Sequence, residues 1–145
     1  CWRELIYFRE HMEKGGDPAE IAKRLPDRDM SGLEEQLRIA EEKMDLLYRK
    51  ALTLSGSGKE KLAADIIMGE GQILWVRVWR AAVSVLTGEP SCTGEERRSL
   101  AVQLEEWYME NKKLWRRSSK EGELFRLTEV VCWYADQLRR EVPFS

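Results

Sequence analysis

The stretch Ser31–Leu54, SGLEEQLRIAEEKMDLLYRKALTL, decides the fold. Leu33, Leu37, Ala40, Met44, Leu47, Ala51 and Leu54 recur at alternating steps of four and three. On a helix of 3.6 residues per turn, that spacing lays them along one face as a single apolar stripe. Ser31 with Glu34 three residues on fits a capping box at the start. SGSGK, from Ser55 to Lys59, breaks the pattern with two glycines.

The same period extends outward from this helix. From about Glu60 to Leu86 the chain is at its most apolar, with Leu62, Ile66, Ile73, Leu74, Val78, Trp79, Ala82 and Leu86 forming a broad face. So wide a face predicts a central place in a bundle. Gly69 and Gly71 interrupt it, each costing about 1 kcal/mol against alanine, which implies either close packing with a neighbour or a kink. TGEPS stops this helix at Gly88 and Pro90. Thr93 with Glu96 forms a second capping box. The helix after it carries Leu100, Leu104, Trp107 and Leu114, with Tyr108 and Trp115 on the adjoining row. Ser118 with Glu121 forms a third box, opening a last helix with a stripe of Leu124, Leu127, Val131, Tyr134 and Leu138 that Pro143 ends. At the front, Trp2, Leu5, Ile6 and Met12 belong to a partial helix. Asp17 and Pro18 start a short one that Pro26 closes. No sustained period-two run competes. The expected fold is all-α: an antiparallel bundle of four long helices plus a short N-terminal helix, with residues 1–145 as a single domain.

Composition limits the functions available. The chain has 145 residues, 43% hydrophobic and 34% charged, a balance that supports one folded core. A net charge of −2 sets up no global field toward nucleic acid or an anionic membrane, and no apolar run approaches the roughly 20 residues of a membrane helix. Cys1, Cys92 and Cys132 are an odd number, far apart, and are read as reduced thiols in the cytoplasm. Opening on Cys1 within a helical pattern suggests a C-terminal fragment of a longer protein.

Chemistry is sparse. SGSGK lacks the glycine and the Ser or Thr that flank Gly-Lys in a phosphate loop, since Thr53 and Glu60 stand there, so it is a turn. His11 is the only histidine, which leaves no basis for a nucleophilic triad or a histidine-based metal site. The adjacent acids Glu41-Glu42, Glu95-Glu96 and Glu105-Glu106 do not face each other on a helix. Asp65 and Glu70, set within the apolar helix, are the acids expected to lose solvent. No catalytic residue, metal ligand or cofactor is assigned. Six tryptophans are many for this length; most belong in a core, and the excess points to one face packing on another domain or subunit.

NKKLWRRSSKEGELFRL, Asn111–Leu127, gathers Lys112, Lys113, Arg116, Arg117 and Lys120 around Trp115. Positive charge suits a helix C-terminus, and a nucleic-acid reader needs a wider basic face, so this is a helix end, a joint and a capped restart. With the preceding YME, the stretch is similar to the C-terminal segment of bacterial β-N-acetylhexosaminidases of glycoside hydrolase family 20. There a helix ends in a Leu-Trp pair, a short joint follows, and a Gly-Leu or Gly-Glu-Leu element opens the final helix. Leu114, Trp115, Arg117, Gly122 and Leu124 match, although Ser119-Lys120 replaces the usual proline. The resemblance covers about Glu95 to Arg140. It implies a non-catalytic accessory domain packed on an upstream catalytic (β/α)8 barrel of the same chain or on a partner subunit, with a homodimer possible. The parent's catalytic Asp-Glu pair and sugar pocket would lie upstream, where the substrate's own acetamido group attacks the anomeric carbon. The interface residues expected are Trp107, Trp115, Arg116 and Arg117. One alternative is a free-standing helical interaction module. Another is a ligand carrier with an internal pocket lined by Trp75, Trp79 and Trp133.

Overall fold

The computed structural model describes residues 2–24, 30–54, 56–88, 92–118 and 121–144; within these, the side chains of 2–4, 19, 22, 24, 30, 31, 57, 60, 87, 114–118 and 121–126 lie outside the description. The described chain is all-α, a bundle of four long helices with two short ones in front. The helices are α1 (Trp2–Glu13), α2 (Pro18–Arg24), α3 (Met30–Ala51), α4 (Ser57–Thr87), α5 (Gly94–Ser118) and α6 (Glu121–Arg139).

The expected stripes form the core. Leu33, Leu37 and Met44 of α3, Val78, Trp79 and Ala82 of α4, Leu104 of α5, and Val131, Tyr134 and Leu138 of α6 are all buried. Central α4 takes α3 along one side and α5 along another, and α6 packs along α5. The pairing is antiparallel: Glu41 meets Arg77 while Tyr48, further along α3, meets Glu70, nearer the start of α4, and Glu105 meets Arg139 while Tyr108 meets Thr128 between α5 and α6. α2 sits on α4 and α1 on α6. Full burial of Phe8 and Ala101 completes faces that the spacing alone left incomplete.

Local signals act as their chemistry requires, with differences at the ends. The Thr93 box is reciprocal: Glu96 N–H donates to Thr93 Oγ1 (3.1 Å), and Thr93 N–H donates to Glu96 Oε2 (3.3 Å). Gly88 ends α4 with φ 76°, a left-handed conformation that glycine adopts without a Cβ penalty. By contrast, α3 already begins at Met30, and α5 runs on through Ser118. Ser31 thus lies inside α3, whereas Ser118 closes α5 ahead of α6; both side chains lie outside the described residues, as does Pro26. α6 ends at Arg139, four residues before Pro143. Residues 140–144 then hook back and bury Phe144, whose N–H donates to Gln137 Oε1 (2.9 Å).

Gly71 and Gly69 allow close packing. A Cβ on Gly71 would lie within 2.7 Å of three atoms of the Trp107 indole. That indole rests on the α4 backbone and donates its N–H to the Ile67 carbonyl (2.7 Å).

Candidate functional site

Because α3 and α5 both pack on α4 and make no comparable contact with each other, an open groove of about 610 Å3 runs between them. Its floor is α4, with Glu70, Ile73, Leu74 and Arg77. Glu41, Met44, Asp45 and Tyr48 form the α3 wall, and Gln103, Glu106, Trp107 and Glu110 the α5 wall. The acidic residues come from helical spacing. Glu41 and Asp45 are one turn apart beside the buried Met44, and Glu106 and Glu110 are one turn apart beside Trp107, so each pair borders its helix's apolar stripe.

Five carboxylates thus share the groove with one cation. Arg77 donates to Glu41 Oε1 (2.9 Å), and Tyr48 OH donates to Glu70 Oε1 (2.6 Å). That bond to Glu70, helped by partial burial, pushes the Tyr48 phenol up to about 12, so the hydroxyl stays protonated and acts as a donor. Asp45 and Glu110 bind exposed cations on their own helices, Arg49 and Lys113 (3.0 Å each). Such exposed pairs hold little energy. Glu106 has no ion-pair partner among the described residues.

The groove continues past Arg77 and Gln103 into a smaller recess of about 230 Å3 over α4 and α5. There Arg80, Glu96 and the half-buried Cys92 meet. Burial first, and then the Glu96 charge, raise the Cys92 thiol above its usual range, which keeps it a poor nucleophile.

The residues singled out from the sequence fall in separate places. Trp107 is 9% exposed and committed to the α4–α5 contact, so it offers a partner only the edge that faces the groove. Trp115, Arg116 and Arg117 lie in the last turns of α5, with side chains outside the described residues. Trp75 and Trp79 are buried, and Trp133 is half-buried. They join Phe8, Tyr134 and Phe144 in edge-to-face contacts, such as Trp133–Tyr134 at 4.8 Å and Phe8–Trp79 at 5.9 Å, which fill the space with rings. Neither groove is lined by them. His11 Nδ1 donates to the Tyr7 carbonyl (2.9 Å), away from either groove. Of SGSGK, Gly56 caps α4 and Ser57, Gly58 and Lys59 already lie in it, while Ser55 is outside the described residues.

The adjacent acid pairs separate in space. Glu41 faces the groove while Glu42 binds Arg38, and Glu106 faces it while Glu105 binds Arg139. Asp65 is exposed; only Glu70 is partly covered. No group of three potential metal ligands occurs among the described residues, and no described helix is long and apolar enough to cross a membrane. Compared with known proteins, the chain matches no family model, no curated protein and no solved structure at significant similarity.

Proposed function

We propose that this chain is a non-catalytic helical domain that works by binding another protein surface. The observation that carries this reading is the groove across α4, a concave surface with acidic walls, a floor where Ile73 and Leu74 lie between Glu70 and Arg77, and two aromatic side chains. Its reactive groups are tied to one another, Tyr48 to Glu70 and Arg77 to Glu41. That arrangement suits recognition rather than proton transfer.

The resemblance of Glu95–Arg140 gives the reading its most specific form, an accessory domain of a bacterial, cytoplasmic β-N-acetylhexosaminidase-like glycoside hydrolase. Support comes from the corner, where α5 ends at Ser118 and α6 opens at Glu121, the helix, short joint and helix that the resemblance requires. The unpaired Cys92 and Cys132 are in keeping with a reducing compartment. In this form Trp115, Arg116 and Arg117 face the catalytic barrel or a partner subunit. In the second form the module stands free, and the groove is its binding face.

Cross-linking mass spectrometry on the full-length protein, expressed from its own gene, tests the proposal. Links from Lys112, Lys113 or the groove acids to another domain or chain support it, and their absence from every face refutes it. Trp115→Ala separates the forms. Loss of the corner links with helical circular dichroism retained supports the accessory-domain form. Unfolding would place Trp115 in the core and reject that interface.

A further inference from the structure

We infer that the groove between α3 and α5 is the docking site for a basic amphipathic helix of a partner protein. This rests on the binding-domain reading above and names the partner's chemistry. The shape comes first. Two helices lying on a third with no comparable contact between them leave the slot that a further helix fills in bundle packing. The walls run from Glu41 to Tyr48 and from Gln103 to Glu110, each about 10 Å at the helical rise. The slot therefore receives about two turns of a docked helix.

Charge selects the occupant. Carboxylates stand on both walls, Glu41 and Asp45 on one and Glu106 and Glu110 on the other, with Glu70 on the floor. Among the described residues, Arg77, the groove's one guanidinium, is held by Glu41; Asp45 and Glu110 pair with the exposed Arg49 and Lys113; Glu70 and Glu106 have no ion pair. A docked helix meets acid on both flanks, so it carries Lys or Arg on both sides of its buried ridge. Apolar surface sets the ridge. Ile73, Leu74 and Trp107 expose little, but Tyr48 at the mouth is 46% exposed, and Leu52, in the turn just past the end of α3, is 88% exposed. Tyr48, which lines the groove, offers an anchor for one large apolar residue. The narrow floor leaves most of the attraction to charge, so binding weakens with salt.

The test titrates the intact chain with three synthetic helical peptides, using isothermal calorimetry and amide chemical-shift mapping. One peptide has a leucine ridge flanked by lysines, one has the same ridge flanked by glutamates, and one keeps the lysines with the ridge changed to serine. The first binds, weakens as salt rises, and perturbs 41–48, 70–77 and 103–110; the other two bind at least about tenfold more weakly. Asp45→Lys with Glu106→Lys, both on solvent-facing rims, weakens the first peptide by about tenfold or more. Equal binding of the glutamate peptide, or perturbations elsewhere, overturns the inference. Self-association of the chain that this double variant abolishes also overturns it, because the occupant is then a second copy. If the groove fails while cross-links still leave another face, only the inference falls. If no face makes links, the binding-domain reading falls with it.

Discussion

Gly71→Ala is the sharpest test of how α4 and α5 fit together. In a helix that packs on nothing, this change stabilises by about 1 kcal/mol, because alanine loses less backbone entropy. Here the new methyl enters the space of the Trp107 indole, within 2.7 Å of three ring atoms. The indole cannot slide away freely, since its N–H is bound to Ile67 and the ring packs edge-on against Trp75 at 6.1 Å. Overpacking of this kind costs about 1–3 kcal/mol, and losing a buried hydrogen bond adds roughly 1 kcal/mol or more. Set against the propensity gain, the net effect is destabilisation by about 1–3 kcal/mol. Two other glycines calibrate the result. Gly58→Ala meets nothing within 4 Å and should be neutral or stabilise by up to about 1 kcal/mol. At Gly69 the new methyl meets only the Met44 thioether, which is adaptable, so that variant falls between the two. Urea unfolding followed by circular dichroism and tryptophan emission gives the order. Repeating Gly71→Ala in a Trp107→Leu background should restore the gain. If Gly71→Ala stabilises the native chain as much as Gly58→Ala, the close approach of α5 at Trp107 is wrong.

Two further outcomes are expected. Asn111 is 2% exposed and its Oδ1 has no partner among the described residues, so Asn111→Leu should raise stability by about 1–3 kcal/mol in the same unfolding assay, and a loss would show that the amide is bonded. Tyr48, with its phenol near 12 against an ordinary 10.0, favours its neutral form when folded. Its contribution to stability is therefore complete below the unfolded value and fades as pH rises from about 10 to 12. In Glu70→Gln the phenol should ionise at lower pH, read as a larger tyrosinate absorbance at pH 11. An unchanged titration would show that the Tyr48–Glu70 bond does not hold in solution.

The Ser31–Leu54 spacing and the capped, glycine-punctuated helices after it determine the fold class, because a stripe every three or four residues can be buried only as a helix face against other helices. Stops and starts with local chemistry, the Thr93–Glu96 box and the Gly88 cap, are equally legible, since their partners lie within one turn. Even the acidic ridges beside the stripes, Glu41 with Asp45 and Glu106 with Glu110, are visible as one-turn pairs. Nothing in the chain says that these two ridges, some 60 residues apart, border one groove. That depends on α3 and α5 settling on neighbouring faces of α4, a choice made by side-chain volume at Gly69, Gly71, Met44 and Trp107. The tryptophans show the same divide: their number suggests an interface or a pocket, but edge-to-face packing decides that Trp75, Trp79 and Trp133 fill the core instead. Periodicity encodes which face of each helix is buried; only packing among non-neighbouring residues decides which solvent-facing residues meet.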